Sequence, residues 1–367
     1  MPRKSAAPMH ESPITHNRIF EGKRILITGG TGSLGKVLLR RILTGKNGRP
    51  AKIWVLSRDE AKQHQMRLSF LKKPVATEEV IYDNFKQMVT FRIGDVRDFS
   101  TILSAVSKAD IVINAAALKQ VPTCEYFPDE AVATNIGGAE NITRAVRDYP
   151  NNVETVVCVS TDKACMPVNV MGMTKAIQER IFLSAALTCE KARYIAVRYG
   201  NVLASRGSVL PLFHEQIKQG GPVTITDAET TRFLLSLDQA VDTIFACVAE
   251  GRNGETYIPR VASALITDVA DILIGKRKIE KKIVGMRPGE KLHEALISHE
   301  EAGRSFRRGN YFVIPSIIPE IHPYDYRHEK RLKKQYSSKD SLLGKHGVEK
   351  LLRDNRVTIE DNPTFDD

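Results

Sequence analysis

The feature that most restricts the fold is the run from Arg24 to Leu43. Arg24-Ile25-Leu26-Ile27-Thr28 is apolar and of strand length; Gly29-Gly30-Thr31-Gly32-Ser33-Leu34-Gly35 follows, then a helical pattern with apolar Val37, Leu38, Ile42 and Leu43. Glycines at 29, 32 and 35 let the chain turn sharply, bring backbone N–H groups against a pyrophosphate, and pack the helix close to its strand. A Gly-x-x-Gly-x-x-Gly run is weak by itself, because glycine-rich turns are common. Between a strand and a helix, at the head of an alternating pattern, it predicts an α/β fold. The expected architecture is a Rossmann-type doubly wound parallel sheet, with a smaller, discontinuous α/β lobe for a second ligand. Gly29, Thr31, Gly32, Ser33, Leu34 and Gly35 would form the phosphate loop.

The following strands supply the rest of a dinucleotide site. Ile53-Trp54-Val55-Leu56 runs into Ser57-Arg58-Asp59-Glu60. A hydroxyl and an Arg at that strand end suit the extra phosphate of NADP, whereas NAD asks for a carboxylate on the ribose hydroxyls. NADP is therefore favoured over NAD, with Ser57, Arg58, Asp59 and Lys62 as candidates. Asp59 remains open as the ribose acid, and Ser57 and Asp59 also suit the cap of the next helix. Val89 to Ile93 is a third strand, ending at Gly94-Asp95-Val96. There Asp95 can accept from an adenine amine, or simply make a turn or N-cap. A fourth strand, Ile111 to Asn114, ends in Ala115-Ala116-Ala117, small residues that let a cofactor lie on the backbone, with Lys119 just beyond. Asn135, on an apolar helix face starting near Asp129, needs a partner, and backbone at the strand ends is the expected one.

Chemistry is expected at the fifth strand. Thr155-Val156-Val157-Cys158-Val159 reads as buried, so Ser160-Thr161-Asp162-Lys163 emerges where a parallel sheet presents side chains to ligand. Met171 and Lys175, four apart on the helix that follows, share one face. An acid and a base facing a second Lys suit proton shuttling beside a bound cofactor. Thr161, Asp162, Lys163, Met171 and Lys175 are the catalytic candidates, and Ser160 and Lys175 also face the cofactor.

Composition narrows the partners. The 367 residues are 42% apolar, ample for a core, and contain neither an apolar run near 18 residues nor a signal-peptide pattern. No membrane span is expected. Five Cys without a C-x-x-C pair or zinc spacing point to a reduced, cytoplasmic setting and no metal. The net charge of +11 suits nucleic acid, an anionic surface or a phosphorylated substrate. Without a basic stripe interleaved with aromatics, nucleic acid is set aside. Arg206, Arg232 and Arg287 in polar loops suit a diphosphate, which Arg grips bidentately. Asn201, Ser208, Glu290 and Lys291 are candidates for sugar, phosphate or base, with Lys119, Val209 and Thr226 completing the substrate set. The expected organisation is a flexible tail over 1–20, a nucleotide domain over 21–200 and 235–260, a substrate lobe over 201–234 and 261–334, and a C-terminal segment over 335–367. In that last segment Tyr336-Ser337-Ser338 is a candidate for the site's edge.

The strand, glycine loop, acidic turn and Asn-Ala-Ala run together resemble the extended short-chain dehydrogenase/reductase superfamily. From Gly22 to about Ser298 the resemblance narrows to nucleotide-sugar 4,6-dehydratases acting on N-acetylglucosamine nucleotides, the inverting branch that makes capsule and O-antigen precursors. It rests on Ser57-Arg58-Asp59-Glu60, Gly94-Asp95-Val96-Arg97-Asp98, Ala115 to Pro122 and Ser160-Thr161-Asp162-Lys163-Ala164. Further blocks are Arg198-Tyr199-Gly200-Asn201-Val202, Ser205-Arg206-Gly207-Ser208-Val209 and Gly289-Glu290-Lys291-Leu292-His293-Glu294. One departure matters: the superfamily's Tyr-x-x-x-Lys reads Met171-x-x-x-Lys175 here, and a thioether takes no proton. The branch includes members with this Met, so the resemblance implies activity by another proton path.

Oxidation at carbon-4 would make the carbon-5 proton acidic. Lys163 would remove it, its pKa lowered by burial and by nearby Lys175. Asp162 would protonate the departing 6-hydroxyl, Thr161 would hold the 4-oxygen, and hydride would return to carbon-6. The base for the 4-hydroxyl stays open between Asp162 and a water held by Thr161 and Lys175. The resemblance also implies a homo-oligomer. A redox-neutral epimerase of the same fold, a GDP-sugar dehydratase and a non-catalytic NADP-binding protein remain alternatives.

Overall fold

The computed structural model describes residues 18–71, 79–203, 208–321, 325–363 and 365. Strands β1 (Arg24–Thr28), β2 (Lys52–Ser57), β3 (Val89–Ile93), β4 (Ile111–Asn114), β5 (Thr155–Val159) and β6 (Arg193–Val197) lie parallel in the order β3-β2-β1-β4-β5-β6. Ile25 of β1 pairs in register with Ile53 of β2 on one side and Ile111 of β4 on the other, so the strand order reverses about β1. That reversal opens the crevice where ligands of such sheets bind.

The apolar runs of β1, β4 and β5 are continuous because helices cover both faces of the sheet. One face packs on helix α1 (Ser33–Leu43) and the helix Leu237–Glu250; Leu38, Leu39 and Ile244 are fully buried there. The other face packs on Phe99–Val106, Gly138–Asp148 and Val170–Ser184 through Ile102, Ile142 and Phe182. Ser236 and Gln239 start the Leu237–Glu250 helix with a reciprocal capping box, worth about 1 kcal/mol for the cap. The strand after that helix, Thr256–Pro259, returns to the sheet beside β6.

Three boundaries differ from those expected. The lobe assigned to 261–334 gives up Phe306–Arg308 and Tyr311–Ile314, which extend the sheet antiparallel beyond Thr256–Pro259. The Gly309-Asn310 step between them is a two-residue hairpin connection, with Gly309 at φ 55°, and the buried Phe306 and Val313 belong to the sheet's own core. Phe20 is fully buried edge-on against Phe245, so packed chain begins inside the segment expected as tail. The helix Lys345–Asp354 is built into the small lobe: Val348 and Leu352 are fully buried beside Leu273 of the helix Ile266–Ile274. At about 1.5–3 kcal/mol per buried side chain, these two seat the C-terminal helix firmly.

The small lobe has its own core around Phe213, Val223, Leu273 and Leu352. Two short strand pairs frame it, Val223–Ile225 with Lys281–Ile283 and Thr231–Phe233 with Ser263–Leu265. A third pair, Ala295–Ile297 with Tyr336–Ser337, packs beneath the turn that follows β5.

Candidate active site

A single cavity of about 1080 Å³ runs from the glycine loop to the small lobe. That exceeds the roughly 300–1,000 Å³ of a pocket for one drug-sized ligand, and suits a cofactor and a substrate end to end.

At the glycine end the backbone itself is the wall. Gly29 has φ 66°, and a Cβ there would stand 2.7 Å from the Ala116 backbone; a Cβ on Gly35 would stand 2.2 Å from the Gly30 carbonyl oxygen. Both positions demand glycine. Gly32 has ordinary space, but as N-cap of α1 it offers no side-chain acceptor, leaving the first amides of that helix to an anion. Gly29, Gly32, Ser33, Leu34 and Gly35 line the cavity at this end, as do Ala115, Ala116, Ala117 and Lys119 across the crevice. Thr31 stands just behind, its hydroxyl 2.8 Å from that of Ser57.

The strand-end acids have internal duties. Asp59 Oδ1 accepts from the Lys62 amide at 2.9 Å and Ser57 Oγ from the Asp59 amide at 3.3 Å, so the capping alternative describes both. Arg58 is left half exposed, 3.7 Å from Asp95, while Lys62 reaches the cavity wall. Asp95 is gripped by Arg97 through the backbone amide (3.0 Å), Nε (3.0 Å) and Nη2 (2.7 Å). Burial pushes that carboxyl up, but Arg97 and Arg58 outweigh it and hold it below the ordinary range. The turn alternative thus accounts for Asp95, and Val96 beside it is buried against Gly138. Asn135 is fully buried, accepts from the Leu118 amide (2.8 Å), and donates to the Leu118 carbonyl (3.1 Å) and to Thr174 (3.0 Å). It clamps the loop after β4 to the helix Val170–Ser184 and reaches ligand only through that loop.

The end of β5 carries the candidate reactive groups. Thr161 caps a single turn, Asp162–Ala164, accepting from the Lys163 amide at 3.4 Å and donating to Asp162 Oδ1 at 2.9 Å. Lys163 Nζ donates to Asp162 Oδ1 (3.1 Å) and Asn201 Oδ1 (3.2 Å). Thr161, Lys163 and Asn201 line the cavity; Asp162 is fully buried behind them, its Oδ2 without a hydrogen bond. Burial pulls the Lys163 ammonium down, but Asp162 and Glu294 outweigh burial and raise its pKa. This reverses the expected lowering. The opposing carboxyls decide the sign, and Lys175 is turned away.

Lys175 donates to the Val159 carbonyl at 2.6 Å and to Gln178 Oε1, and burial lowers its pKa. Met171 is 4% exposed; it both faces the cavity and packs with Cys124 and Ala131, so it is a structural side chain at the site's wall.

On the substrate side Ser208, Val209, Thr226, Arg232, Arg287 and Glu290 all line the cavity, whereas Arg206 lies outside the described residues. Arg232 Nη2 is 3.6 Å from Glu290, and its Nη1 donates to the carbonyls of Thr231 and Leu292 at 2.8 and 3.1 Å. Lys291 braces the wall instead, donating to the Cys165 carbonyl at 2.7 Å. The wall also holds polar residues that were not among the site candidates, Thr230 and Glu294 among them, the latter buried at the head of an apolar strand. A carboxylate opening Glu294-Ala295-Leu296-Ile297 was the signal for the second.

The residues fit a dinucleotide and a polar co-ligand. The hydroxyls of Ser160, Ser208 and Thr230 are buried at the cavity wall with no hydrogen-bond partner among the described residues, an arrangement that calls for a bound acceptor or donor. Among the described residues no His, Cys, Asp and Glu cluster could hold a metal ion, and no helix is long and apolar enough to cross a membrane.

Residues 25–316 match the family model described as polysaccharide biosynthesis protein. The chain belongs to that family, a branch of the extended short-chain dehydrogenase/reductases. Proteins similar to it include a UDP-glucose 4-epimerase of Rickettsia bellii, 42% identical over 81% of this chain and 84% of its own length. An uncharacterized membrane protein of Methanocaldococcus jannaschii is 38% identical over 92% of this chain and 97% of its own. The X-ray structure of Pen from Bacillus thuringiensis superposes with a TM-score of 0.80 at 33% identity, over 92% of this chain and 99% of that one. DesIV, a dTDP-glucose 4,6-dehydratase from Streptomyces venezuelae solved with NAD, shares the fold at a TM-score of 0.62 and 20% identity, over 91% and 98%.

Proposed function

We propose that this family member is a nucleotide-sugar 4,6-dehydratase acting on UDP-N-acetylglucosamine and holding NADP. Remodelling of a nucleotide sugar is what the name of the 42%-identical UDP-glucose 4-epimerase describes, and this supports the coarser part of the reading. The observation that carries the finer reading is the Thr161–Asp162–Lys163 cluster at the cavity, Thr161 and Lys163 in its wall and Asp162 hydrogen-bonded to both from behind, with Met171 where a proton-accepting Tyr would serve simple oxidation at carbon-4. An epimerase needs only that oxidation and its reversal; a dehydratase also needs a base for carbon-5 and an acid for the 6-oxygen.

The glycine loop, Ser57, Arg58, Ala115 to Ala117, Ser160 and Lys175 would hold the cofactor. When bound, its nicotinamide supplies a reversible hydride acceptor for carbon-4 and donor for carbon-6. The chain's own residues handle the protons. Thr161 already donates to Asp162, so the 4-hydroxyl proton passes to Thr161 as Thr161 passes its own to Asp162. The proton so stored on Asp162, which lies behind the wall, returns through the Thr161 hydroxyl to the departing 6-hydroxyl. Lys163, as neutral amine, takes the carbon-5 proton and later returns one there. Asp162 ends as it began, and one water is lost. Arg232 and Arg287 line the same cavity and are of the residue type suited to a diphosphate.

The test is incubation with UDP-N-acetylglucosamine in deuterated water, followed by mass and proton spectra. Loss of one water with one deuterium at carbon-5 is expected, and the ring couplings give the stereochemistry there. A product of unchanged mass, isomerised at carbon-4, would establish the epimerase reading that the 42%-identical relative favours. No change sinks the UDP-sugar assignment, and the GDP-sugar is then the substrate to try.

Arg58 supplies a second test. Its guanidinium is half exposed beside Asp95, free to turn to a 2′-phosphate. Arg58→Ala should weaken NADP binding by about tenfold, roughly one charge-assisted contact, while changing NAD binding little. Equal loss for both cofactors in a fluorescence titration would remove the NADP preference.

A further inference from the structure

Lys163 faces two carboxyls. Asp162 is 3.1 Å from its ammonium, and Glu294 Oε1 is 3.8 Å away. The first is already engaged by Thr161; the second has no place in the scheme so far. Glu294 is nonetheless fixed with care. Its amide donates to Ser338 Oγ at 3.0 Å and its carbonyl accepts from the Ser338 amide at 2.8 Å, so the C-terminal strand holds it from behind. Its side chain is 4% exposed, lines the cavity, and leaves Oε2 without a hydrogen bond. A buried carboxylate in that condition is costly, whereas a carboxylic acid is tolerated.

The charged groups facing it are Lys163, Asp162, Arg232 and Lys291, the last 3.9 Å from Oε2. Burial raises its pKa, and despite the three cations the net direction stays upward. The dehydratase scheme has a matching gap. It needs Lys163 as a neutral amine, yet the surroundings favour the ammonium.

We propose that Glu294 is the proton partner of Lys163, taking the ammonium proton so that a neutral amine faces carbon-5 and returning it after turnover. One proton moves from Nζ to a carboxyl oxygen and back; no electrons move and no co-reactant is consumed. Glu294 acts through Lys163, so it is a positioning and proton-holding residue. The inference rests on the dehydratase reading, and its test separates the two.

In the holoenzyme, Glu294→Gln keeps the shape and removes the titration. Dehydration kcat at pH 7 should fall about 100-fold, the low end for losing one acid–base group, with KM within about threefold and cofactor content unchanged. The residual rate should climb about tenfold per pH unit as solvent deprotonates Lys163 instead, and Glu294→Asp should recover part of the loss. An unchanged kcat, or a fall independent of pH with lost cofactor, overturns the proposal. An infrared titration of glutamate-labelled protein needs no turnover. One carboxylic acid band should persist above the pH at which exposed glutamates ionise, vanish in Glu294→Gln and persist higher still in Lys163→Met. Absence of that band overturns the proposal even if the enzyme proves active, and its presence in an enzyme that fails to dehydrate leaves the fault with the dehydratase reading.

Discussion

Replacing Lys163 by Met is expected to abolish dehydration, lowering kcat by about 10³- to 10⁴-fold, because one side chain both removes the carbon-5 proton and returns it. That corresponds to about 4–5.5 kcal/mol of the barrier. The substitution keeps the apolar stem and removes only the ammonium, which bonds Asp162 and Asn201 and stands near Glu294. Cofactor retention should change little, since the ammonium's partners, Asp162, Asn201 and Glu294, are not among the residues proposed to hold the cofactor. Carbon-5 deuterium incorporation, followed by mass spectrometry, separates this from a general loss of activity. If Lys163 is the base, exchange should disappear along with dehydration; if the variant still exchanges carbon-5 at the wild-type rate, the base lies elsewhere. A loss below tenfold would reduce Lys163 to an electrostatic neighbour. A stability change should accompany the loss. With the cation gone, the Glu294 carboxyl, already raised by burial, loses a neighbour that lowers it, so its folded pKa rises further above the unfolded one. Its contribution is then present at low pH and lost as pH climbs through the raised value, making the variant weakest in alkali.

Much of the nucleotide half was legible because parallel strands buried on both faces must be apolar throughout, and the turns between them must be small where a ligand touches backbone. Gly29 and Gly35 show this directly, since neither position has room for a Cβ. The reactive cluster was legible for the same reason: a polar run after β5 can only emerge at the crevice. Local chemistry was less decidable. Asp59 and Asp95 carry the residue types a cofactor site wants, yet each is satisfied by the amide two or three residues on, an arrangement open to Asp at any turn. The sign of the Lys163 shift was out of reach, because burial alone lowers a lysine and, of the two carboxyls that reverse it, Asp162 and Glu294, the second comes from across the fold. The sheet's last hairpin was hidden by its shortness, although Gly309-Asn310 was a usable turn signal. The seat of the helix Lys345–Asp354 depended on a groove that exists only once the small lobe has formed.

Arg198→Met should cost about 3–5 kcal/mol of stability at neutral pH, the penalty for stranding buried carboxylates. Arg198 is 3% exposed at the end of β6 and grips two carboxylates at once: Glu179 through Nε (3.0 Å) and Nη2 (2.6 Å), and Glu301 through Nη1 (2.9 Å) and Nη2 (3.1 Å). It also donates to the Leu296 carbonyl at 2.9 Å. One guanidinium therefore joins the sheet to the helix that carries Met171 and Lys175 and to the strand that begins beside Glu294. Burial would raise the Glu301 carboxyl, but Arg198 overrides it and holds the pKa at about 2. In the wild type this stability is present above the ordinary carboxyl pKa and lost as pH falls from there toward 2. The variant reverses the sign: without the cation, burial raises the folded pKa of Glu301, so acidification relieves the strain. Urea midpoints should show the deficit largest near pH 8 and reduced near pH 5, with an unchanged m-value. Arg198→Lys should recover only part, because a point charge cannot grip two carboxylates in a fork. A deficit under about 1 kcal/mol at pH 8 would mean that water reaches the pair, and that the strand leading to Glu294 is held by its pairing with Tyr336–Ser337 alone.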